Sequence, residues 1–205
     1  ELERLLEEND PARAAAATEQ AGLFGTVARG WSVGAAVRAA LRRYARARRD
    51  PPWPESAQRG VLRDCGLRLL VSDVAPRHRA RVVARLGLNG RPATRLRDAL
   101  RRISELRRAL SRPLSPGGLD ARLAGTEDAV LLLAWCGGGS VSMRNVVRYA
   151  DRLRRINDPL NGDDARALGL RGPAVGDLLR AARERSLDGR RVDDAWVRRW
   201  LARHP

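Results

Sequence analysis

Residues 161–189 read NGDDARALGLRGPAVGDLLRAARERSLDG, and their glycines and aspartates fall where helices start and stop. Asp163 suits the cap of a short helix, and Gly169 its left-handed terminator. Gly172 followed by Pro173 fits the first turn of a longer helix. On that helix Val175, Leu178, Leu179 and Ala182 share a face, and Gly189 makes the turn out. Asp193 then caps a last helix whose buried side is Trp196, Val197, Trp200 and Leu201. The punctuation predicts a three-helix tail over 159–205.

Outward from this stretch the apolar spacing stays helical and no alternation marks a sheet, so the expected class is all-α. Residues 1–25 read as a helix end, a polar Asn9-Asp10-Pro11 break and a second helix closed by Gly22. A helical body follows over 26–158. In 32–49, Val33, Val37, Leu41 and Tyr44 take one side, with Arg38, Arg42, Arg46 and Arg49 on another. The prolines of DPPWP (50–54) stop that helix. Helices are expected over 61–71, from Pro76 to near Gly87, and over 93–111. Thr126 is read as the cap of the helix carrying Trp135, and Ser142 as the opening of the next.

The chain has 205 residues, 43% of them hydrophobic, and a formal net charge of +16. That size supports one large or two small cores. All 40 basic residues are arginine. A GC-rich codon bias accounts for arginine over lysine but not for the excess of basic over acidic residues, so a polyanion is the expected partner, with a merely solvated basic surface as the alternative. No run approaches the ~20 apolar residues of a membrane span, so no membrane partner is expected. The acidic, amphipathic start ELERLLEEND lacks the features of a secretory signal, and the chain reads as cytoplasmic. Beginning at Glu1 with Met143 as the one methionine, it reads as a segment of a longer protein or a processed product. Cys65 and Cys136 form no CxxC pair and read as buried reduced thiols. His78 and His204 read as exposed.

The most informative basic element is the helix expected from Met143 to about Asn157. At about 100° per residue, Arg144, Arg148, Arg152 and Arg155 fall within one arc, opposite Val146, Ala150, Leu153 and Ile156. Such a row can track phosphates, or it can be a solvated face beside Asp151. Arg171 and Gly172 extend the candidate set, because the free donors and dipole of a helix N-terminus favour an anion. Aromatics are 4% of the chain, which argues against a module that stacks single-stranded bases.

The order NGDDARALGL, RGPAVGDLL and SLDGRRVDDAWVRRWL resembles the C-terminal tail of bacterial CCA-adding tRNA nucleotidyltransferases and their A-adding and poly(A)-polymerase relatives. Their pattern is roughly G-x-D-L-x-x-L-G-L-x-P-G-P-x-x-G-x-x-L followed by L-D-G. The matching positions are Gly162, Asp164, Leu168, Gly169, Leu170, Gly172, Pro173, Gly176, Leu179, Leu187, Asp188 and Gly189. Ala165 and Arg171 depart from the pattern, standing for a leucine and the first proline. LERLLEENDPARAAAATEQAGLF is similar to the segment after the neck in this family, and 26–158 would be the variable body.

The resemblance implies a parent enzyme, an RNA nucleotidyltransferase that adds CCA, A or poly(A) without a template. Its catalytic head, with a D-x-D carboxylate pair, two Mg2+ ions and bound ATP or CTP, has no counterpart motif in this sequence. No catalytic residue, metal or cofactor site is therefore expected here, and the chain alone is expected to be inactive. Its implied role is to hold RNA, most of all the acceptor and TΨC arm of tRNA, alongside the head and neck. The adjacent acids Asp163-Asp164 and Asp193-Asp194 read as helix caps. The second reading is a helical DNA-binding module, with 159–205 as a helix-turn-helix unit exposing Arg198, Arg199 and Arg203. A protein-protein scaffold ranks third, because it leaves the charge without a purpose.

Overall fold

In a computed structural model, which describes residues 1–88 and 90–204, the most apolar stretch of the chain becomes its central helix. Ala129 through Cys136 are all buried, as expected of a helix apolar on every side. The chain is all-α: 72% is helical, in 13 α-helices, with no strand among the described residues. No helix among them is long and apolar enough to cross a membrane.

The helices are α1 Leu2–Glu7, α2 Pro11–Gln20, α3 Leu23–Val27, α4 Ala35–Arg49, α5 Arg59–Ser72, α6 Pro76–Arg85 and α7 Arg91–Leu110. They continue as α8 Pro116–Leu123, α9 Asp128–Gly137, α10 Ser140–Val147, α11 Gly162–Ala167, α12 Pro173–Leu187 and α13 Asp194–Leu201. The chain forms two compact units, Glu1–Arg112 with Thr126–Val147, and Pro113–Gly125 with Arg148–Pro205. The units therefore do not divide at 158/159. Residues 113–125 and 148–158 join the expected tail.

In the first unit α9 is surrounded by α4, α5, α7 and α10. Polar side chains finish the helix ends. The Trp53 indole N–H donates to Asp128 at the start of α9 (3.0 Å), and Arg43 donates to the Cys136 carbonyl at its end (2.7 Å). Both placements match the helix dipole. Arg48 donates to the carbonyls of Leu6, Glu7 and Glu8 and so terminates α1. Arg85 does the same for Thr26 and Val27 at the end of α3. Buried Asn145 caps α7 through the carbonyls of Leu110 (3.2 Å) and Arg112 (3.0 Å).

Cys65 and Cys136 are free and buried. They are nonetheless neighbours, which their sequence separation hid. Burial first, then the Cys136 thiol, pushes the Cys65 thiol well above its ordinary range.

In the second unit α12 packs on α8 and α11. Gly117 permits the α8 crossing, because a Cβ there would overlap the backbone of Glu184. Arg183 on α12 forks onto Asp120 on α8 at 2.8 and 3.1 Å. It also reaches Asp158 (2.5 Å) and the carbonyls of Leu153 and Ile156.

Several local expectations change. Glu127, not Thr126, precedes α9 as its N-cap residue. Ser142 lies buried inside α10, which begins at Ser140. Asn161, not Asp163, caps α11, accepting from the backbone of Asp163 and Asp164 while Asp164 accepts from Asn161. Gly169 is left-handed (φ 86°), as expected, and Asp193 caps α13 by accepting from the Trp196 N–H (2.8 Å). Of the four residues expected to bury that helix, only Val197 does so fully. Trp196 instead lies under the Arg185 guanidinium, 5.5 Å from its centroid. Trp200 stacks on the exposed His204 ring at 4.2 Å, and His78 is half-buried.

Candidate nucleic-acid interface

The helix expected to run from Met143 to about Asn157 ends at Val147. It continues as one π turn over Arg148–Arg152 and a 3-10 turn over Leu153–Arg155. A π turn advances by less and a 3-10 turn by more than 100° per residue, so the four arginines do not share one straight helical arc. The cause is local. The Leu153 and Ile156 carbonyls are taken by Arg183, Asp158 adds its carboxylate to the same guanidinium, and Pro159 follows. These hydrogen bonds, Asp120 first, raise the protonation of Arg183 above its already high ordinary value. A permanent cation thus closes the segment.

Arg144, Arg148, Arg152 and Arg171 are exposed and have no hydrogen bond or ion pair with other described residues. Arg155 is exposed but engaged within the protein. Gly172 takes φ 56° and precedes α12 without a side-chain cap; Pro173 at the first helical position supplies no N–H, so few free donors remain there. Arg148, Arg152, Arg155, Arg171 and Gly172 belong to the second unit, whereas Arg144 belongs to the first.

Charge is distributed over both units. The first carries 25 arginines against 14 acidic residues, the second 15 against 10. Much of it is structural, since Arg43, Arg48, Arg85 and Arg183 are spent on helix ends and ion pairs. Arg68 is buried and pairs with Glu127 (3.2 Å). The arginines left for a polyanion in the first unit include Arg42, Arg46 and Arg49, exposed on one side of α4. In the second unit Arg198, Arg199 and Arg203 near the C-terminus are also exposed. Sequence periodicity identified the α4 row but could not separate capping from free arginines.

Three residues of the tail pattern have structural tasks. Asp188 accepts from the Gly117 N–H (2.8 Å) and the Ser115 hydroxyl (3.3 Å), capping α8. Gly189 (φ 76°) makes the turn out of α12. Asp164 closes the α11 capping box. No group of three or more His, Cys, Asp or Glu side chains among the described residues is placed to share a metal ion. Comparison with protein-family models, with curated proteins and with solved structures finds no match to this chain.

Proposed function

We propose that this chain is the RNA-holding body and tail of a template-independent nucleotidyltransferase, and that it grips the acceptor and TΨC arm of tRNA while a separate head acts on the 3′ end. The observation that carries the reading is the set of exposed, unpartnered arginines Arg148, Arg152 and Arg171, in the same unit as the 161–189 pattern. A duplex RNA arm presents phosphates and 2′-hydroxyls across a wide minor groove. Guanidinium groups that need no protein partner suit that surface because they form bidentate contacts with phosphate. Arg155 and the Gly172 turn belong to the same proposed contact set of the second unit, and Arg144 is proposed as a separate contact of the first. Catalysis, with its Mg2+ ions and ATP or CTP, lies with the head. The chain by itself binds RNA without extending it.

The test is binding of the purified chain, over a salt series, to an acceptor-TΨC minihelix, a length-matched single-stranded RNA and a DNA duplex. Phosphate contacts make all three salt-dependent. The proposal expects a minihelix preference that persists at moderate salt. DNA binding as tight or tighter overturns it in favour of the DNA-binding reading, for which the exposed Arg198 and Arg199 of α13 are the natural contacts.

A further inference from the structure

A second polar site lies wholly within the first unit and is independent of the RNA-holding reading. A cleft of about 780 Å³ opens among α1, α4 and the start of α5. That volume falls in the range of small-molecule pockets, roughly 300–1,000 Å³. The 14-residue helix α5 begins there with no side-chain cap on its N-terminus. Its first backbone bond is donated by Leu62, which leaves the N–H groups of Arg59, Gly60 and Val61 unused. Gly60 has no side chain to cover them, and a Cβ at that position would meet open space. Arg59 and Arg63 flank the same turn and line the cleft.

An independent feature points into this space. Tyr44 is 3% exposed, lines the cleft and has no hydrogen-bond partner for its hydroxyl among the described residues. A buried phenol ordinarily finds a partner. Here the ring is enclosed by the helices, and the one part left unsatisfied is the polar tip that borders the cleft.

We propose that this cleft binds a small phosphomonoester, its phosphate seated on the α5 N-terminus between Arg59 and Arg63 and its body reaching the Tyr44 hydroxyl. Three backbone donors, the helix dipole and two guanidiniums meet the phosphate oxygens. Glu3 and Glu7, which line the same cleft from α1, accept from hydroxyl groups on the ligand body, which favours a phosphorylated polyol over bare phosphate. Burial first, then Cys65, pushes Tyr44 up to about 12, so the phenol stays a neutral donor at physiological pH.

The test is a 15N amide titration of the whole chain with ribose 5-phosphate, inorganic phosphate, and a short RNA carrying either a 5′-phosphate or a 5′-hydroxyl. The amides of Arg59, Gly60 and Val61 are expected to shift saturably with ribose 5-phosphate, at several-fold lower concentration than with inorganic phosphate. Saturation by ribose 5-phosphate assigns a free ester. Saturation by the 5′-phosphorylated RNA alone assigns a strand end carrying the same group. Tyr44→Phe removes a hydroxyl that has no protein partner, so it is expected to leave Tm unchanged and weaken ester binding about five- to tenfold. Shifts spread evenly over the exposed arginines, no saturation at these three amides, or unaltered ester binding by Tyr44→Phe would overturn the proposal.

Discussion

In the first unit eight consecutive residues of α9, Ala129 to Cys136, are buried, whereas α12, the longest helix of the second unit, fully buries only Leu178 and Ala182. The first unit can rely on area: each large apolar side chain removed from water contributes about 1.5–3 kcal/mol. The second has 71 residues and few large buried side chains, a size at which a core alone gives a thin margin. Its helices are positioned by directed polar contacts, with Arg183 joining Asp120, Asp158 and two carbonyls and Asp188 holding the start of α8. A chain this rich in arginine thus uses the same side chain as scaffold in one place and leaves it free in another.

The contrast breaks most severely at Leu132, which is fully buried in α9. Leu132→Ala is expected to cost about 3–5 kcal/mol through lost transfer energy and a residual cavity. In urea unfolding, hydrogen exchange should report the loss at amides of the first unit. Arg183→Ala should cost about 2–3 kcal/mol: it strands Asp120, whose side chain is 8% exposed, although Asp158 remains largely in water. Hydrogen exchange in that variant should accelerate around 148–158 and in α8. If the second unit were held mainly by apolar burial, the Arg183 variant would show under 1 kcal/mol.

Alkaline pH sharpens the same contrast. Tyr44 is pushed up to about 12 by burial, and Cys65 is raised in the same direction. Both lie in the first unit. In the unfolded chain they ionise near their ordinary values, so the unfolded state binds fewer protons than the native state above about pH 9. The stabilisation is complete below the unfolded values and is lost as pH climbs toward the folded ones. For Tyr44 the loss amounts to about 2–3 kcal/mol between pH 10 and 12. Urea midpoints of wild type and Tyr44→Phe, equal near neutral pH, should separate across that window, the wild type falling below the variant as only its tyrosine titrates. The smallest effect belongs to Asp188→Ala, which removes one of the two side-chain acceptors on the α8 N-terminus, Ser115 keeping the other, at about 1 kcal/mol, and should leave the α9 amides unchanged.

The sequence carried the helices and their glycine punctuation well, because Gly169, Gly172 and Gly189 occupy backbone conformations that side chains avoid and such positions are visible one residue at a time. The all-α class followed from spacing alone. It did not carry the helix break at 147, since the carbonyls that end the regular pattern are taken by Arg183, some thirty residues away. Nor did it pair Cys65 with Cys136, or attach 113–125 to the tail. Gly117, Asp120 and Asp188 look like ordinary turn and surface residues until α8 and α12 meet. The candidate arginines were legible as a set of charges. Which of them remain free depended on long-range hydrogen bonds that periodicity does not encode.

The measurement that tests the RNA-holding reading most directly compares wild type with an Arg148→Ala, Arg152→Ala, Arg171→Ala variant for minihelix binding across a salt series. Because these three side chains have no protein partners, the variant is expected to keep its fold and Tm. The account predicts markedly weaker binding, with a salt slope shallower by about two to three, roughly one per lost phosphate contact. A variant that binds the minihelix with the wild-type affinity and slope would contradict it.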